Sequence, residues 1–466
     1  MAHRTALDEL EQAKQRLKDA EAFPFSALLD AETIESTMAV HDSNPEVKHR
    51  DRVYTWPVTL WMFLSQALSA DGSCRETMKR LAAWRAIRGL KPCSTDSTSY
   101  CVARSQRLPL AGVKALMRQT GGQLHDQADA AWLWRGRRVK IVDGTTVTCP
   151  DTPANEQTFP KRTNQKHGVG FPIVRVLVIF SLAVGSVLEA AVGPTRGKQT
   201  GENTLFRGLQ NSLETGDILL GDRLFDSYRD IAELRARGVD VVFRRHATRK
   251  CDFRRGRWLG VTDHVVTWQK PKFNRSRFTR EEYEALPAEM KMRELRFRVQ
   301  QAGFRPIEIT LVTTLLDPID YPKDDLAELY RERWHCELDL RALKTTLGMN
   351  ELRCKSPQMV EKELYVHLLA YNLIRQVNAE AAREHDKTPR RISFKACVQA
   401  INSFQPYLAA CPEQHERLWK RMLKAIAYHK VGHRPNRIEP RKIKRRKSTY
   451  TYLMLPRSIE RQKLCA

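Results

Sequence analysis

The chain has 466 residues, 42% of them hydrophobic, with 79 lysines and arginines against 54 aspartates and glutamates for a formal net charge of +25. That is enough apolar material for two or three packed domains, and the base is spread along the chain, which points to a nucleic-acid partner and argues against a membrane surface. Ten cysteines at scattered spacings with no CxxC fit reduced thiols in a cytoplasmic protein, and His167, His246, His264 and His335 are too dispersed to nominate a zinc site.

No signal-peptide pattern opens the sequence, and residues 1–130 read as helical. ALDELEQAKQRLKDAEAF and TMKRLAAWRAIRGL carry helical spacing, with Trp84 expected in the core. The turn-rich KPCSTDSTS then leads into SYCVARSQRLPLAGVKALMRQTG, a basic segment of helix-turn-helix type that suits DNA. Arg85, Arg88, Arg104, Arg107, Lys114 and Arg118 are its candidate phosphate contacts, although any solvated helical face carries similar charges.

Residues 131–246 alternate strands with helices. RRVKIVDGTTVT is a short buried strand expected to end at Asp143. The longest apolar run, from Ile173 to Gly193, contains Arg175 and Glu189 and is rich in β-branched residues, so it reads as a hairpin turning at Gly185-Ser186 rather than a lipid-spanning helix. A helix in ENTLFRGLQNSLETG, a strand in GDILLGDRLF ending at Asp222, a helix in SYRDIAELRARG and a strand in VDVVFRRH complete the α/β order. In open sheets of this class ligands bind beyond the strand termini, where Asp143 and Asp222 would approach each other.

Residues 247–318 lose the helical signal. LRFRVQQ and FRPIEITLVTT alternate apolar with polar residues, giving a β-rich insertion with a basic face. Trp258 and Trp268 suit either stacking on a flipped base or packing of an isolated sheet.

Residues 319–360 begin with YPKDDLAEL, where Asp324 or Asp325 is expected to cap a helix. That helix continues through YRERWHCELDLRALK. At about 100° per residue, Tyr330, Arg333, Glu337, Arg341 and Lys344 share one side, while Leu329, Cys336, Leu340, Leu343 and Leu347 form a neighbouring stripe for burial. Trp334 is expected in the core. One acid among an aromatic and three bases suits metal-dependent phosphate chemistry; a surface helix held by Glu/Arg and Glu/Lys pairs is the other reading. Residues 361–432 read as further helices, and 433–466 as a proline-broken basic tail, either an electrostatic arm on nucleic acid or a solvated tail.

Asp143, Asp222 and Glu337 together supply the three carboxylates that can hold two divalent ions about 3.5 to 4 Å apart around a phosphodiester. Oxygen ligands select magnesium or manganese, and no protein nucleophile is then required.

The pattern Tyr330-x2-Arg333-x3-Glu337-x6-Lys344 resembles the YREK signature of DDE transposases of the insertion-sequence-four family. Asp143 in VDGTT, Asp222 in GDRLFDSY and the β-rich insertion before the glutamate match that family's order, so the resemblance covers residues 130–360 most strongly. The segment PNRIEPRKIKRR resembles the family's basic tail, and the helical N-terminus resembles its end-binding domain less specifically.

The resemblance implies an RNase H-like α/β core interrupted by the insertion, with helical N- and C-terminal regions, acting in cut-and-paste transposition. Asp143 would bridge two Mg2+ or Mn2+ ions, with Asp222 completing one site and Glu337 the other. Tyr330, Arg333 and Lys344 would contact phosphates. Arg223 is a further phosphate candidate with a surface residue as the alternative, and Arg104 and Arg107 would bind DNA through the N-terminal region. Lys198, Thr200 and Glu202 in GKQTGEN sit at family-like positions but read as a turn and helix cap. The implied partners are double-stranded DNA, both transposon ends and target, and a second copy of the chain on paired ends, in the bacterial cytoplasm at the nucleoid. An RNase H-like nuclease or junction resolvase would use the same acids but leaves the insertion and basic arms unexplained. A DNA-binding protein derived from a transposase would be expected to lack an acid, and all three are present.

Overall fold

The computed structural model describes residues 26, 28–42, 53–69, 71–87, 89–162, 169–197, 200–275, 278–299, 307–431 and 454–465. The helix expected over residues 6–23, Arg88, His167, Lys198 and most of the basic tail lie outside them. In chain order the first helices are α1 (Ala31–Val40), α2 (Trp56–Leu68), α3 (Cys74–Ile87), α4 (Thr98–Val102) and α5 (Leu110–Asp126). Then follow β1 (Val139–Thr148), α6 (Pro153–Thr158), β2 (Ile173–Ser181), β3 (Val187–Pro194), α7 (Glu202–Leu209), β4 (Ile218–Gly221), α8 (Tyr228–Ala236) and β5 (Asp240–Arg244). The insertion holds β6 (Arg257–Gly260), β7 (Asp263–Gln269), α9 (Arg280–Glu284), β8 (Glu289–Val299) and β9 (Ile307–Thr313). The chain continues through α10 (Lys323–Glu332), α11 (Trp334–Arg341), α12 (Pro357–Glu384), α13 (Phe394–Ala410), α14 (His415–Tyr428) and α15 (Arg457–Cys465).

Two compact units result. Residues 1–132, 183–189 and 338–431 form one, and residues 133–182, 190–337 and 432–466 form the other. The N-terminal helices and the helices between residues 357 and 428 thus contribute to the same unit.

In the mixed α/β unit the strands follow the order β3-β2-β1-β4-β5-β9-β8-β7-β6. β1, β4 and β5 run parallel, and β2 lies antiparallel against β1. This is the RNase H-like arrangement. β4 is buried at all four positions and β2 at eight of nine, as expected for strands covered on both faces. The insertion is not an isolated sheet: β9 pairs antiparallel with β5, so β6 to β9 extend the core sheet. β1 also runs five residues past Asp143, because β2 pairs with it as far as Thr148↔Ile173, whereas β4 leaves it at Ile141↔Leu220. The hairpin turns through residues 182–186, with Gly185 at φ +77°.

The helical unit is built on α12, a 28-residue helix with proline in its first turn and most of its length buried. α2, α5, α13 and α14 pack on it. Gly121 on α5 permits a close approach, since a Cβ there would lie 1.9 Å from the Val187 carbonyl oxygen. Asn372 uses that space, donating to the Met117 and Val187 carbonyls and accepting the Val187 amide. No helix among the described residues is long and apolar enough to cross a membrane.

Candidate active site

Parallel pairing of β1 with β4 sets Ile141 opposite Leu220. Continuing that register by two residues sets Asp143 opposite Asp222, just where β4 has ended at Gly221 and β1 goes on with β2 alone. The two acids therefore emerge side by side at the carboxyl ends of adjacent parallel strands. Asp143 accepts its neighbour's amide, Gly144 N–H, at 2.8 Å within β1, and Asp222 accepts the Leu224 amide at 2.7 Å in the turn after β4, so both carboxyls are held by nearby backbone amides.

The third acid arrives on α11. The helix expected over residues 330–344 is not continuous: α10 ends at Glu332 and α11 starts at Trp334, with the Arg333 and Cys336 amides bonding three residues back to Tyr330 and Arg333. A π turn over Ala342–Thr346 follows. The apolar stripe nevertheless packs as its spacing requires, with Leu329, Cys336, Leu340, Leu343 and Leu347 all buried. Neither Asp324 nor Asp325 caps α10, whose N-cap is Pro322; Asp325 pairs instead with Arg135.

Arg333 joins the acids. Its Nη1 lies 3.1 Å from Asp143 Oδ2 and its Nη2 lies 3.2 Å from Glu337 Oε1. Burial of Asp143 raises its pKa, assisted by the negative charges of Asp222 and Glu337, and Arg333 and the Gly144 amide offset this only in part. At Arg333 burial disfavours the charge, but Tyr330, Asp143 and Glu337 outweigh it and hold the guanidinium above its ordinary pKa. Tyr330 is 6% exposed, and burial pushes its hydroxyl up to about 12. Among the described residues no ion pair joins Asp222. One guanidinium thus bridges two of the three carboxylates, and the charge of the third, Asp222, is felt at Asp143 without an ion pair of its own, a deficit of positive charge in a partly buried place. The donors are all oxygens, a set that fits hard divalent cations.

Further residues lie near this site. Glu202 is the first residue of α7, not its cap, and pairs with Arg175 at 3.8 Å. A Cβ on Gly144 would come within 3.0 Å of the Glu202 carboxyl, so a fourth acid lies beside the strand that carries Asp143. The Asp-Gly in VDGTT is the sequence signal for that approach. Thr200 forms the expected turn, donating to the Gly197 carbonyl. Arg244, at the end of β5, acts electrostatically on Tyr330.

The remaining candidates are dispersed. Arg223 is exposed beside Asp222, and Lys344 lies in the π turn within the helical unit. In that same unit Arg104 donates to Gln66 at 2.9 Å and stacks over Phe63 and Tyr100, which makes it a core-anchoring side chain. Arg107 is half-buried, and its carbonyl accepts the Trp56 indole. Arg85 donates to the Lys91 carbonyl, Lys114 pairs with Glu361 and Arg118 with Glu189. Trp84 is buried as expected, whereas Trp334 is 60% exposed, because Cys336 and Leu340 rather than Trp334 lie on the buried stripe of α11. Trp258 is 69% exposed. Trp268 is buried, with its indole bonded to Glu294 and its ring under Arg249 at 3.6 Å, and offers no free face.

A family described as the transposase DDE domain matches residues 134–373, just over half of the chain. The chain is 26% identical over 437 residues to transposase InsG for insertion sequence element IS4 of Escherichia coli (strain K12), spanning 91% of this chain and 92% of that protein. To the transposase for insertion sequence element IS421 of Escherichia coli it is 36% identical over 64 residues, 14% of this chain and 17% of the relative. A piggyBac transposase in a synaptic complex with hairpin DNA, 10% identical, aligns over 86% of this chain and 84% of its own with a TM-score of 0.43. The domain match and the near full-length similarity to InsG together place the chain in the insertion-sequence-four family of DDE transposases, as a DNA transposase.

Proposed function

We propose that Asp143, Asp222 and Glu337 hold two magnesium or manganese ions and that the chain cuts and rejoins DNA strands at the inverted repeats bounding its element. The charge balance carries this reading: Arg333 pairs with Asp143 and Glu337 while the neighbouring Asp222 has no ion pair among the described residues, which leaves an unmet demand for positive charge in a cluster of oxygen donors. Bound there, such ions would lower the pKa of an attacking water or 3′ hydroxyl and stabilise the leaving 3′ oxygen of an in-line displacement.

The protein's own part is placement and charge. Arg333 keeps Asp143 and Glu337 aligned before DNA arrives and then turns a donor to a phosphate oxygen beside the scissile bond. Tyr330, buried and with a hydroxyl that stays protonated at neutral pH, donates a hydrogen bond there. Lys344 and Arg223 contribute phosphate contacts, and Arg104 and Arg107 support the helical region that binds the ends. Double-stranded DNA is the substrate at both ends and target, and two copies of the chain act on paired ends in the cytoplasm.

Short inverted repeats, to be sought in the DNA flanking the gene, would supply the test substrate. End-labelled duplexes bearing them are expected to be cleaved in magnesium by the wild type and not by Asp143→Asn. Equal cleavage by the variant would overturn the reading.

A further inference from the structure

We propose that Cys251, His264 and Glu294 form a zinc site in the β-rich insertion, separate from the acidic cluster. His264 on β7 and Glu294 on β8 are directly paired across the two strands, so their side chains leave the same face of the sheet. Cys251 comes from the loop between β5 and β6. Its Sγ lies 3.9 Å from His264 Nε2, which lies 3.4 Å from Glu294 Oε2, and the three donor atoms all fall within 4.8 Å of one another. Tetrahedral zinc, with bonds of roughly 2.3 Å to sulfur and 2.0–2.1 Å to nitrogen and oxygen, spaces such atoms about 3.3–3.6 Å apart. Small side-chain rotations close the difference.

The surrounding hydrogen bonds orient two of the three donors. His264 Nδ1 lies 2.7 Å from the Arg255 carbonyl oxygen, which can only accept, so Nδ1 carries the proton and the Nε2 lone pair faces Cys251 and Glu294. Glu294 Oε1 accepts the Trp268 indole N–H at 2.9 Å, leaving Oε2 turned to the histidine. Two acceptors thus meet at 3.4 Å where His264 and Glu294 are 1% and 3% exposed, beside a Cys251 thiol that is hydrogen-bonded to the same carboxylate, so the three groups share either the thiol proton or a cation that replaces it. A backbone carbonyl behind the imidazole and a donor behind the carboxylate are the outer contacts that metal ligands use. The sulfur, nitrogen and oxygen donors favour zinc over magnesium, and a thiolate with a carboxylate neutralises a dication. Cys251 is partly exposed, which gives the ion a way in.

The site would pin the loop after β5 to the sheet. That loop carries Arg254 and Arg255, both exposed, and leads to Arg257 and the exposed Trp258 on β6. Zinc would hold this basic loop in one geometry.

The test uses full-length protein carrying Asp143→Asn, Asp222→Asn and Glu337→Gln, so that the acidic cluster cannot contribute metal. After dialysis against zinc-free buffer, elemental analysis is expected to find about one zinc per chain. Cys251→Ser and His264→Asn, each checked for native circular dichroism, are expected to lose it. Cobalt substitution is expected to give a thiolate charge-transfer band that Cys251→Ser abolishes, and removal of zinc is expected to speed tryptic cutting at Arg254 and Arg255. A chain that retains no zinc, or zinc retained by both variants, would overturn the proposal and leave a hydrogen-bonded triad only.

Discussion

Glu337 and Asp339 stand two residues apart on α11, yet they belong to different regions and different electrostatic regimes. Asp339, in the helical unit, is fully buried between the guanidiniums of Arg375 and Arg390, with Arg375 further bonded to the Tyr371 hydroxyl. One carboxylate there meets two cations. In the α/β unit Glu337 and Asp143 share Arg333, and Asp222 adds its charge beside Asp143 with no ion pair among the described residues. An acid matched or exceeded by fixed cations has its charge satisfied within the fold, whereas acids held together in excess of their cations leave a demand that a ligand must meet.

Breaking the compensated side should cost stability. Asp339→Ala leaves two buried guanidiniums facing each other and is expected to destabilise the helical unit by about 3–5 kcal/mol, read as a lowered midpoint in urea unfolding. Arg333→Lys acts on the other side: it keeps the charge but loses the fork that spans Asp143 and Glu337, and end cleavage is expected to fall about 10²-fold with little change in melting temperature. Gly144→Ala is the smallest change. Its methyl meets the Glu202 carboxyl at 3.0 Å, and because that carboxyl ends a flexible side chain the expected loss is about 1 kcal/mol in thermal unfolding.

The strand-end acids were legible because each follows a short apolar run, in KIVDG and ILLGD, and parallel register does the rest. The buried stripe of Leu329, Cys336, Leu340, Leu343 and Leu347 was legible from spacing alone. The break at Arg333 was not, since neither glycine nor proline marks it and no local spacing records the reach of Arg333 to both Asp143 and Glu337. Capping by Asp325 was pre-empted by Arg135, far away in sequence. Likewise, continuation of β1 past Asp143 depends on β2, and fusion of the insertion with the core sheet depends on β9 meeting β5. Cys251, His264 and Glu294 are separated in sequence and converge only through the β7–β8 register. At Arg104 the sequence showed only the charge, which suggested DNA, and not the stacking on Phe63 and Tyr100 that ties it to the core.

The most direct test sets the two acids of α11 against each other in one preparation, with magnesium-dependent end cleavage and thermal melting measured for Glu337→Gln and Asp339→Asn. Glu337→Gln is expected to lose roughly 10³-fold or more in cleavage while melting at or above the wild-type temperature, because it relieves like-charge repulsion. Asp339→Asn is expected to melt lower and to retain cleavage in the fraction that stays folded. Cleavage preserved in Glu337→Gln, or a melting loss there as large as that of Asp339→Asn, would contradict the account.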